Sequence, residues 1–447
     1  MDTGSTVVGP LARLGTDAPV MAGAPDRAAP PVRAVGAEEA LYETTQAIER
    51  ELSDVAWATY RLGDAAQRSA VDLVFDLAGG GAADVLTRTV RWTQEATAGV
   101  RLLGSSRSIE LAWRRTRNNF EVYNLVKNRR ATLPVDAAGN VDLTAAIDDA
   151  YALGSYADLW AIEGLGHDYA LWWLSRGATH GILIDGPAAA LPASSLTMMH
   201  AGLGLALAER MLARLTPWST HQQFTRVLVD YVDACAAHGR PGYRGAAWES
   251  LGLVARTWHP QLVPGLAAAC DERDDVAGFF WHGAGRALYF LPAYIVPVMS
   301  PWTDADSEAP DDLARRNLHA GLAWAWTLVN LRDPGILAGL FDVIDRRSTA
   351  EAVTNGIISA LVVALDTTPN DPYVLDLASH TPAGAPAEVA VWNAVMRPMV
   401  EMVLNRLHPL LRERGTLDAV FHYIELNALA ARLDRHADSP HAAGNAS

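Results

Sequence analysis

The chain has 447 residues, a formal net charge of −15 and a pI near 5.3. Half of its residues are apolar and 19% are charged, so it can bury a large core. The acidic balance argues against nucleic acid as the main partner. The two cysteines, Cys235 and Cys270, are far apart and form no CxxC pair, which predicts a reducing, cytoplasmic location without a disulfide framework.

Both ends of the chain are predicted to be disordered tails. Residues 1–36 are rich in Ala, Pro, Gly and Asp and lack the basic start and apolar block of a secretory signal. Residues 436–447 have a similar composition. The longest apolar run, residues 287–300, contains two prolines and is too short for a bilayer, so we expect no transmembrane segment.

Residues 37–130 are predicted to form an N-terminal helical region. Residues 38–63 place apolar side chains three and four apart and end at glycine, as an amphipathic helix does. Residues 113–130 carry six basic residues, which form either a solvated helix face or a site for an anionic ligand or partner. Pro134 and the sequence AAGN then mark a turn.

From residue 142 to residue 435 we predict an α-helical repeat domain. A small-residue segment recurs as EGLGHDYALWWL, AGLGLALAERML, RGAAWESLGLVA, HGAGRALYFLP and AGLAWAWTLVNL, with a weaker copy NGIISALVVALD. The anchoring glycines are Gly164, Gly202, Gly245, Gly283, Gly321 and Gly356. Their spacings of 38, 43, 38, 38 and 35 residues are typical of helical hairpins stacked as a solenoid or an α/α toroid.

Each unit of about 38 residues is expected to pair one glycine-rich helix with one conventional amphipathic helix. Glycine lets neighbouring backbones approach closely, so the glycine-rich helices are predicted to line the inner layer. The fold class predicted from the whole pattern is all-α.

Three segments, GLGHDYAL, MMHAGLGLALAERML and FFWHGAGRALYFLP, resemble the glycine-rich segments of the enediyne-biosynthesis proteins catalogued as a domain of unknown function. The matching positions are Gly283, Gly285, Arg286 and Tyr289, together with His200 before the pair Gly202 and Gly204. The resemblance covers residues 159–340. It implies a role in bacterial specialised-metabolite biosynthesis and supplies no catalytic residues.

Polar residues inside the glycine-rich segments are the first candidates for a site. His282 and Arg286 lie four residues apart and therefore on one helical face. His200, His282 and His319 each precede an anchoring glycine by one or two positions, which predicts similar depth around one cavity. Such histidines transfer protons or orient a ligand, bind a metal as a group of three, or hydrogen-bond neighbouring helices. We predict neither a metal nor a cofactor.

A cluster of acids before the fourth segment is the second candidate. Glu272, Asp274 and Asp275 form ExDD, one residue type away from the DxDD acid of protonation-initiated terpene cyclases. Neighbouring carboxylates raise each other's pKa, and one of them can then act as a general acid. The alternative is that these acids cap a helix N-terminus and interact with its dipole.

Two functions of different class follow. The first is a cofactor-independent cyclase that encloses a large apolar isoprenoid or polyketide, with His282, Arg286, Glu272, Asp274 and Asp275 as catalytic residues. The predicted substrate-binding residues are Glu163, His167, His200, Trp248, Trp281, Tyr289, His319 and Trp324. Their aromatic rings either stabilise a cationic intermediate or belong to the core. The second function is a non-catalytic binding, scaffold or self-resistance protein for a hydrophobic intermediate. Both leave homo-oligomerisation open.

Overall fold

A computed structural model describes residues 141–290, 301–346, 348–368, 371–382 and 386–425, with residues 133–135 and scattered positions between 111 and 126. The two predicted tails, most of the predicted region 37–130 and most of the apolar run 287–300 lie outside these residues. Within the described ranges every regular element is a helix, and one antiparallel bridge joins Val135 to Val141. The all-α prediction is confirmed.

The helices are numbered here in chain order. Helices α1 to α7 are Leu143–Tyr151, Ala157–Ser175, Ala193–Leu212, His221–His238, Arg244–Trp258, Val263–Cys270 and Asp274–Phe290. Helices α8 to α13 are Pro301–Glu308, Asp312–Val329, Pro334–Leu337, Gly339–Arg346, Ala350–Thr367 and Pro372–Ser379. A final rod contains α14 (Pro386–Val391), α15 (Arg397–Met402) and α16 (His408–Arg414), joined by the π-helical turns Trp392–Met396 and Val403–Leu407. Short 3₁₀ helices lie at Gly186–Ala190, Pro260–Leu262 and Leu417–Phe421.

Six long helices correspond to the small-residue segments, namely α2, α3, α5, α7, α9 and α12. Helix α2 packs on α3, α3 on α5, α5 on α7, α7 on α9, and α9 on α12. Helix α12 also contacts α3. Every residue of α7 from Val276 to Tyr289 is buried, which is the pattern of a helix surrounded by protein.

The intervals between these helices are less regular than predicted. Among the described residues of these intervals, α4, between α3 and α5, is the one long amphipathic helix, and it begins with a capping box of Thr220 and Gln223. The interval between α2 and α3 contains the 3₁₀ helix Gly186–Ala190, and the helices α6 and α8 have eight residues each. The expected alternation of two full helices per unit is therefore found in one interval.

Small residues bring the six helices into backbone contact. A Cβ added at Gly283 would collide with the carbonyl oxygen of Glu249 in α5, and one at Gly285 with that of Leu318 in α9. In α3, Gly204 faces the backbone of Ala247 in α5. Each of the first five helices thus has one small residue for the segment before it and another, two positions later, for the helix after it, while α12 has Gly356 facing α9. The expected close approach of the glycine-rich helices is present.

One predicted anchor, Gly245, is wrong. Gly245 packs against Asp418 and Phe279, and the contact of α5 with α7 is made by Gly252. Ser250 takes the position that faces α3, where its hydroxyl donates to the oxygen of Ala201 at 3.0 Å. The small pairs are Gly164/Gly166, Gly202/Gly204, Ser250/Gly252, Gly283/Gly285 and Gly321/Ala323. Serine is small enough to replace glycine at this position. Counted to Ser250 instead of Gly245, the spacings from Gly202 and to Gly283 are 48 and 33 residues.

Within the described part of the chain, α12 is the one helix long and apolar enough to span a membrane by length and composition. Its 18-residue window is 89% buried inside the protein. Asp366 in this helix accepts a hydrogen bond from Thr197 of α3 at 2.6 Å and lies 3.0 Å from Arg412 of α16. Helix α12 is therefore a core helix.

Both cysteines are free thiols in the core. Cys235 and Cys270 are fully buried, and this burial raises the pKa of each thiol to about 12. They behave as small apolar side chains.

Candidate functional site

A group of buried charges joins three of the six packed helices. Arg286 of α7 donates from Nη2 to Oε1 of Glu163 in α2 at 2.6 Å and from Nη1 to Oε2 of Glu249 in α5 at 3.1 Å. All three side chains are at most 2% exposed. Buried charges are tolerated when they are paired in this way.

His282 adds a titratable ring to this group. It lies one turn before Arg286, is fully buried, and has its Nδ1 2.9 Å from Oε1 of Glu249. A carboxylate at this distance holds a proton on Nδ1, so the neutral ring carries its lone pair on Nε2. Among the described residues, Nε2 of His282 and Nε of Arg286 have no hydrogen-bond partner.

Trp324 of α9 covers the group. The Cζ atom of Arg286 lies 4.5 Å from the centre of the Trp324 ring, and the His282 ring is 6.4 Å away with its edge toward the indole. Trp324 is fully buried, and its Nε1 has no partner in the described part of the chain. We call Glu163, Glu249, His282, Arg286 and Trp324 the central cluster.

The members of the central cluster occupy two positions of the repeated segment. Glu163, Glu249 and His282 stand immediately before the small pair of their helices. Arg286 and Trp324 stand three residues after the first small residue. These two positions are four residues apart, so they lie on one face of an α-helix. The repeat therefore brings corresponding side chains from successive helices together.

His200 and His319 are not part of the central cluster. Each stands two positions before its small pair, one position earlier than His282, and one residue turns a side chain by about 100° around a helix. Nδ1 of His200 donates to the oxygen of Leu196 at 2.6 Å, and its Nε2 accepts from the Arg240 backbone N–H at 2.8 Å. Burial lowers the pKa of His200 to about 4, so the ring is neutral.

His319 also has local partners. Its Nδ1 contacts the Thr349 hydroxyl, and its Nε2 lies 3.0 Å from an oxygen of Asp306. The edge of its ring packs on Trp302. The structure does not bring the three histidines together, and the described residues contain no group of three or more His, Cys, Asp or Glu arranged to hold a metal ion.

The three predicted acids lie at the exposed N-terminal end of α7. Oε1 of Glu272 lies 2.9 Å from Nε2 of His221, and both carboxylate oxygens of Asp275 accept hydrogen bonds from Arg273. The hydrogen bonds from Arg273 lower the pKa of Asp275, which is the opposite of what a general acid requires. Asp274 is the exposed first residue of α7. Their positions match the alternative of favourable interaction with the helix dipole.

Two further predicted site residues, His167 and Tyr289, have hydrogen-bond partners outside the central cluster. His167 is partly exposed, with Nε2 3.1 Å from Glu209. The Tyr289 hydroxyl accepts from Nδ2 of Asn330 at 2.7 Å, and burial raises the pKa of this tyrosine. The structure thus places His167 at an ion pair near the surface and Tyr289 in a contact between α7 and the end of α9.

The remaining two aromatic residues pack with phenylalanines. Trp248 of α5 lies edge-on to Phe279 at 5.4 Å between ring centres, and Trp281 lies edge-on to Phe280 at 5.2 Å. Trp281 is 3% exposed. Trp281 therefore belongs to the core, and Trp248 is half-buried and packs against it.

Glu249 is the member of the central cluster that sequence reasoning left out of the predicted site. It was hidden because the third segment was aligned on Gly245 instead of Ser250. With the corrected register, Glu249 falls at the same position as Glu163 and His282, and its charge in a Gly/Ala-rich helix becomes the signal.

No protein-family model matches the sequence, and no curated protein or solved structure is significantly similar to it.

Proposed function

We propose that the protein is a cofactor-independent enzyme of bacterial specialised metabolism that cyclises a large apolar substrate, an isoprenoid or a polyketide, by proton transfer in the cytoplasm. The observation that supports this most is the state of His282. Its Nδ1 is held by Glu249, while its buried Nε2 has no partner among the described residues. A carboxylate-oriented imidazole with a free Nε2 is the arrangement of a general base.

Arg286 and two carboxylates set the charge around His282. Burial raises the pKa of Glu249, but the nearby charges of Arg286 and the hydrogen bond from His282 outweigh it and leave this pKa lowered. Glu249 is therefore a carboxylate. With a neutral imidazole the central cluster holds one cation and two anions, and a proton on Nε2 brings its net charge to zero.

The proposal includes the architecture predicted from the repeats, a solenoid or an α/α toroid. The order of packing from α2 to α12, together with the contact of α12 with α3, is the support for it. In such an arrangement the glycine-rich helices form the inner layer and surround a hydrophobic small molecule. The resemblance to the enediyne-biosynthesis family agrees with a role in specialised metabolism.

Turnover by the purified protein tests this function. Incubation with polyprenyl diphosphates, polyenes and long-chain polyketide analogues is followed by mass spectrometry. We expect a new cyclised product and at least a hundredfold lower rate for His282→Gln, because general base catalysis contributes about 10²–10⁴-fold. His380→Gln, on the loop after α13, is the control and should keep the wild-type rate. A folded His282→Gln variant with an unchanged rate would contradict the proposal.

The second candidate is a binding, scaffold or self-resistance protein for a hydrophobic intermediate. The observation in its favour is that Arg286 is matched by two carboxylates at near-zero exposure, as in a structural ion network. It requires tight binding of an apolar ligand, or of a partner enzyme, without any chemical change. Ligand recovered intact after incubation with the protein would support it.

A further inference from the structure

Three polar atoms in the central cluster have no hydrogen-bond partner in the part of the chain that the structure describes. They are Nε2 of His282, Nε of Arg286 and Nε1 of Trp324, and each belongs to a side chain at most 2% exposed. The Arg286 guanidinium lies on the Trp324 ring, and the rings of His282 and Trp324 are arranged edge to face with their centres 6.4 Å apart. The three side chains are therefore neighbours in the core.

Two of these atoms are fixed donors. The Nε of Arg286 and the indole nitrogen of Trp324 each carry a hydrogen and cannot accept one. A buried donor without an acceptor costs about 1–3 kcal/mol of free energy. A ligand whose oxygen accepts a hydrogen bond from such a donor removes this penalty and binds more tightly. A hydrocarbon chain has no acceptor and leaves both donors unmatched.

The charge of the central cluster excludes a strongly anionic ligand group. Arg286 is already shared between Glu163 and Glu249, and among the described residues it is the one cation that hydrogen-bonds to either carboxylate when His282 is neutral. A diphosphate would therefore bring its charges beside a buried net negative charge, which is strongly unfavourable.

The position of Arg286 also bears on carbocation chemistry. Its guanidinium occupies a face of Trp324, the ring that was predicted to stabilise a cationic intermediate. A carbocation placed in contact with the same indole would face a like charge. This argues for an intermediate that is negative at oxygen.

We infer that the central cluster takes a neutral, carbonyl-bearing chain, of the polyketide type, and not a polyene hydrocarbon or a prenyl diphosphate. This inference rests on the proposed function and names its substrate class. Nε2 of His282 removes a proton from the carbon next to the carbonyl, and the electron pair of that C–H bond moves into an enolate. The N–H groups of Arg286 and Trp324 donate to the enolate oxygen, as in an oxyanion hole.

Ring closure then needs no other reagent. The enolate carbon attacks a second carbonyl of the same chain, and a C–C bond forms. The new alkoxide takes back the proton held on Nε2 of His282. Atoms and charge balance, and the product is a cyclic hydroxyketone isomeric with the substrate.

The test observes the Trp324 indole N–H in the full-length protein labelled with ¹⁵N-tryptophan. The probes are a long-chain methyl ketone, the alkene of the same length and the corresponding alkyl diphosphate. We expect the ketone to shift the Trp324 signal and the other two probes to leave it unchanged. The Trp392 signal is the internal control, because its Nε1 already donates to the oxygen of Leu377 at 3.3 Å.

Binding by variants completes the test. Trp324→Phe should bind the ketone about tenfold more weakly, because it loses one hydrogen bond to the carbonyl oxygen. Trp392→Phe should bind the ketone as tightly as the wild type does. Equal or tighter binding of the alkene or the diphosphate overturns the inference. An unshifted Trp324 signal with the ketone, as expected if only water occupies the site, also overturns it.

The outcome separates the ligand class from catalysis. Deuterium uptake next to the carbonyl in D₂O, measured by mass spectrometry against a protein-free blank, reports proton transfer by His282. Ketone binding that shifts Trp324 without deuterium uptake supports the ligand class and contradicts the proposed enzyme. Deuterium uptake that is lost in His282→Gln supports both.

Discussion

Two buried titratable side chains, His200 and Asp158, both favour their uncharged form and change stability in opposite directions with pH. Burial lowers the pKa of His200 from 6.5 to about 4, so its contribution to stability is present above pH 6.5 and is lost as the pH falls toward 4. Burial raises the pKa of Asp158 from 3.8 to about 6, although Leu159 and Thr368 donate hydrogen bonds to it. Its contribution is present below pH 3.8 and is lost as the pH rises through 6.

We predict that Asp158→Asn stabilises the protein near pH 8 and has little effect near pH 4. Asparagine keeps an oxygen for the same two hydrogen bonds and removes the buried charge. We expect this change to raise the free energy of unfolding near pH 8 by about 1–2 kcal/mol. Urea unfolding at both pH values measures the difference from the wild type. Asp148→Asn, at an exposed position of α1, is the matched control and should change nothing at either pH. Lower stability of Asp158→Asn near pH 8 would show that the charge is favourable where it lies.

At the scale of the helix, two glycines of α7 have different surroundings. A Cβ at Gly283 would collide with the backbone of Glu249, and backbone cannot move aside easily. At Gly278 the nearest atoms are 3.4 Å away, which is an ordinary contact. The same chemical change in one helix therefore has two different consequences.

We predict that Gly283→Ala lowers the free energy of unfolding by about 2–4 kcal/mol and that Gly278→Ala leaves it unchanged or raises it. The first variant forces α5 and α7 apart, while the second gains up to about 1 kcal/mol of helix propensity. Thermal and urea unfolding of both variants measure this difference. Equal stability of the two variants would mean that α5 and α7 can separate without loss of packing.

The register of these helices decides how much could be predicted from the sequence. The glycine spacing correctly predicted close-packed helices, since close approach depends only on residue size. Gly245 was assigned wrongly because the small residue of α5 that packs against α3 is Ser250, which is not a glycine. His200 and His319 were grouped with His282, but they lie one residue earlier and face other partners. A one-residue offset is small in sequence and large around a helix.

On the scale of the whole molecule, the central cluster joins positions that are far apart in the chain. Arg286 and Glu163 are separated by 123 residues and Arg286 and Glu249 by 37. The sequence indicated that Arg286 and Glu163 were buried polar candidates, but nothing in it paired them. Such pairing depends on the packing of α2, α5 and α7, which local patterns do not encode.

We predict that Arg286→Met destabilises the protein by about 3–5 kcal/mol, because it leaves the buried Glu163 carboxylate without its cation and Glu249 with His282 alone. The triple variant Arg286→Met, Glu163→Gln, Glu249→Gln should recover most of that loss. Urea unfolding measures both. Arg256→Met is the comparison, and it should lose less because its partner Glu308 is 22% exposed and can be hydrated. If the triple variant remains as unstable as Arg286→Met, the three charged side chains are required for stability, and their burial is not evidence for a function.

The contact between α3 and α12 has a consequence for the order in which the protein is made. Thr197 and Asp366 are 169 residues apart, and the apolar helix α12 leaves the ribosome after the other five helices of the packed series. Until it does, the face of α3 that it covers has no partner, and the growing chain exposes apolar surface during synthesis. The molecule can therefore reach its finished packing only after translation has passed α12.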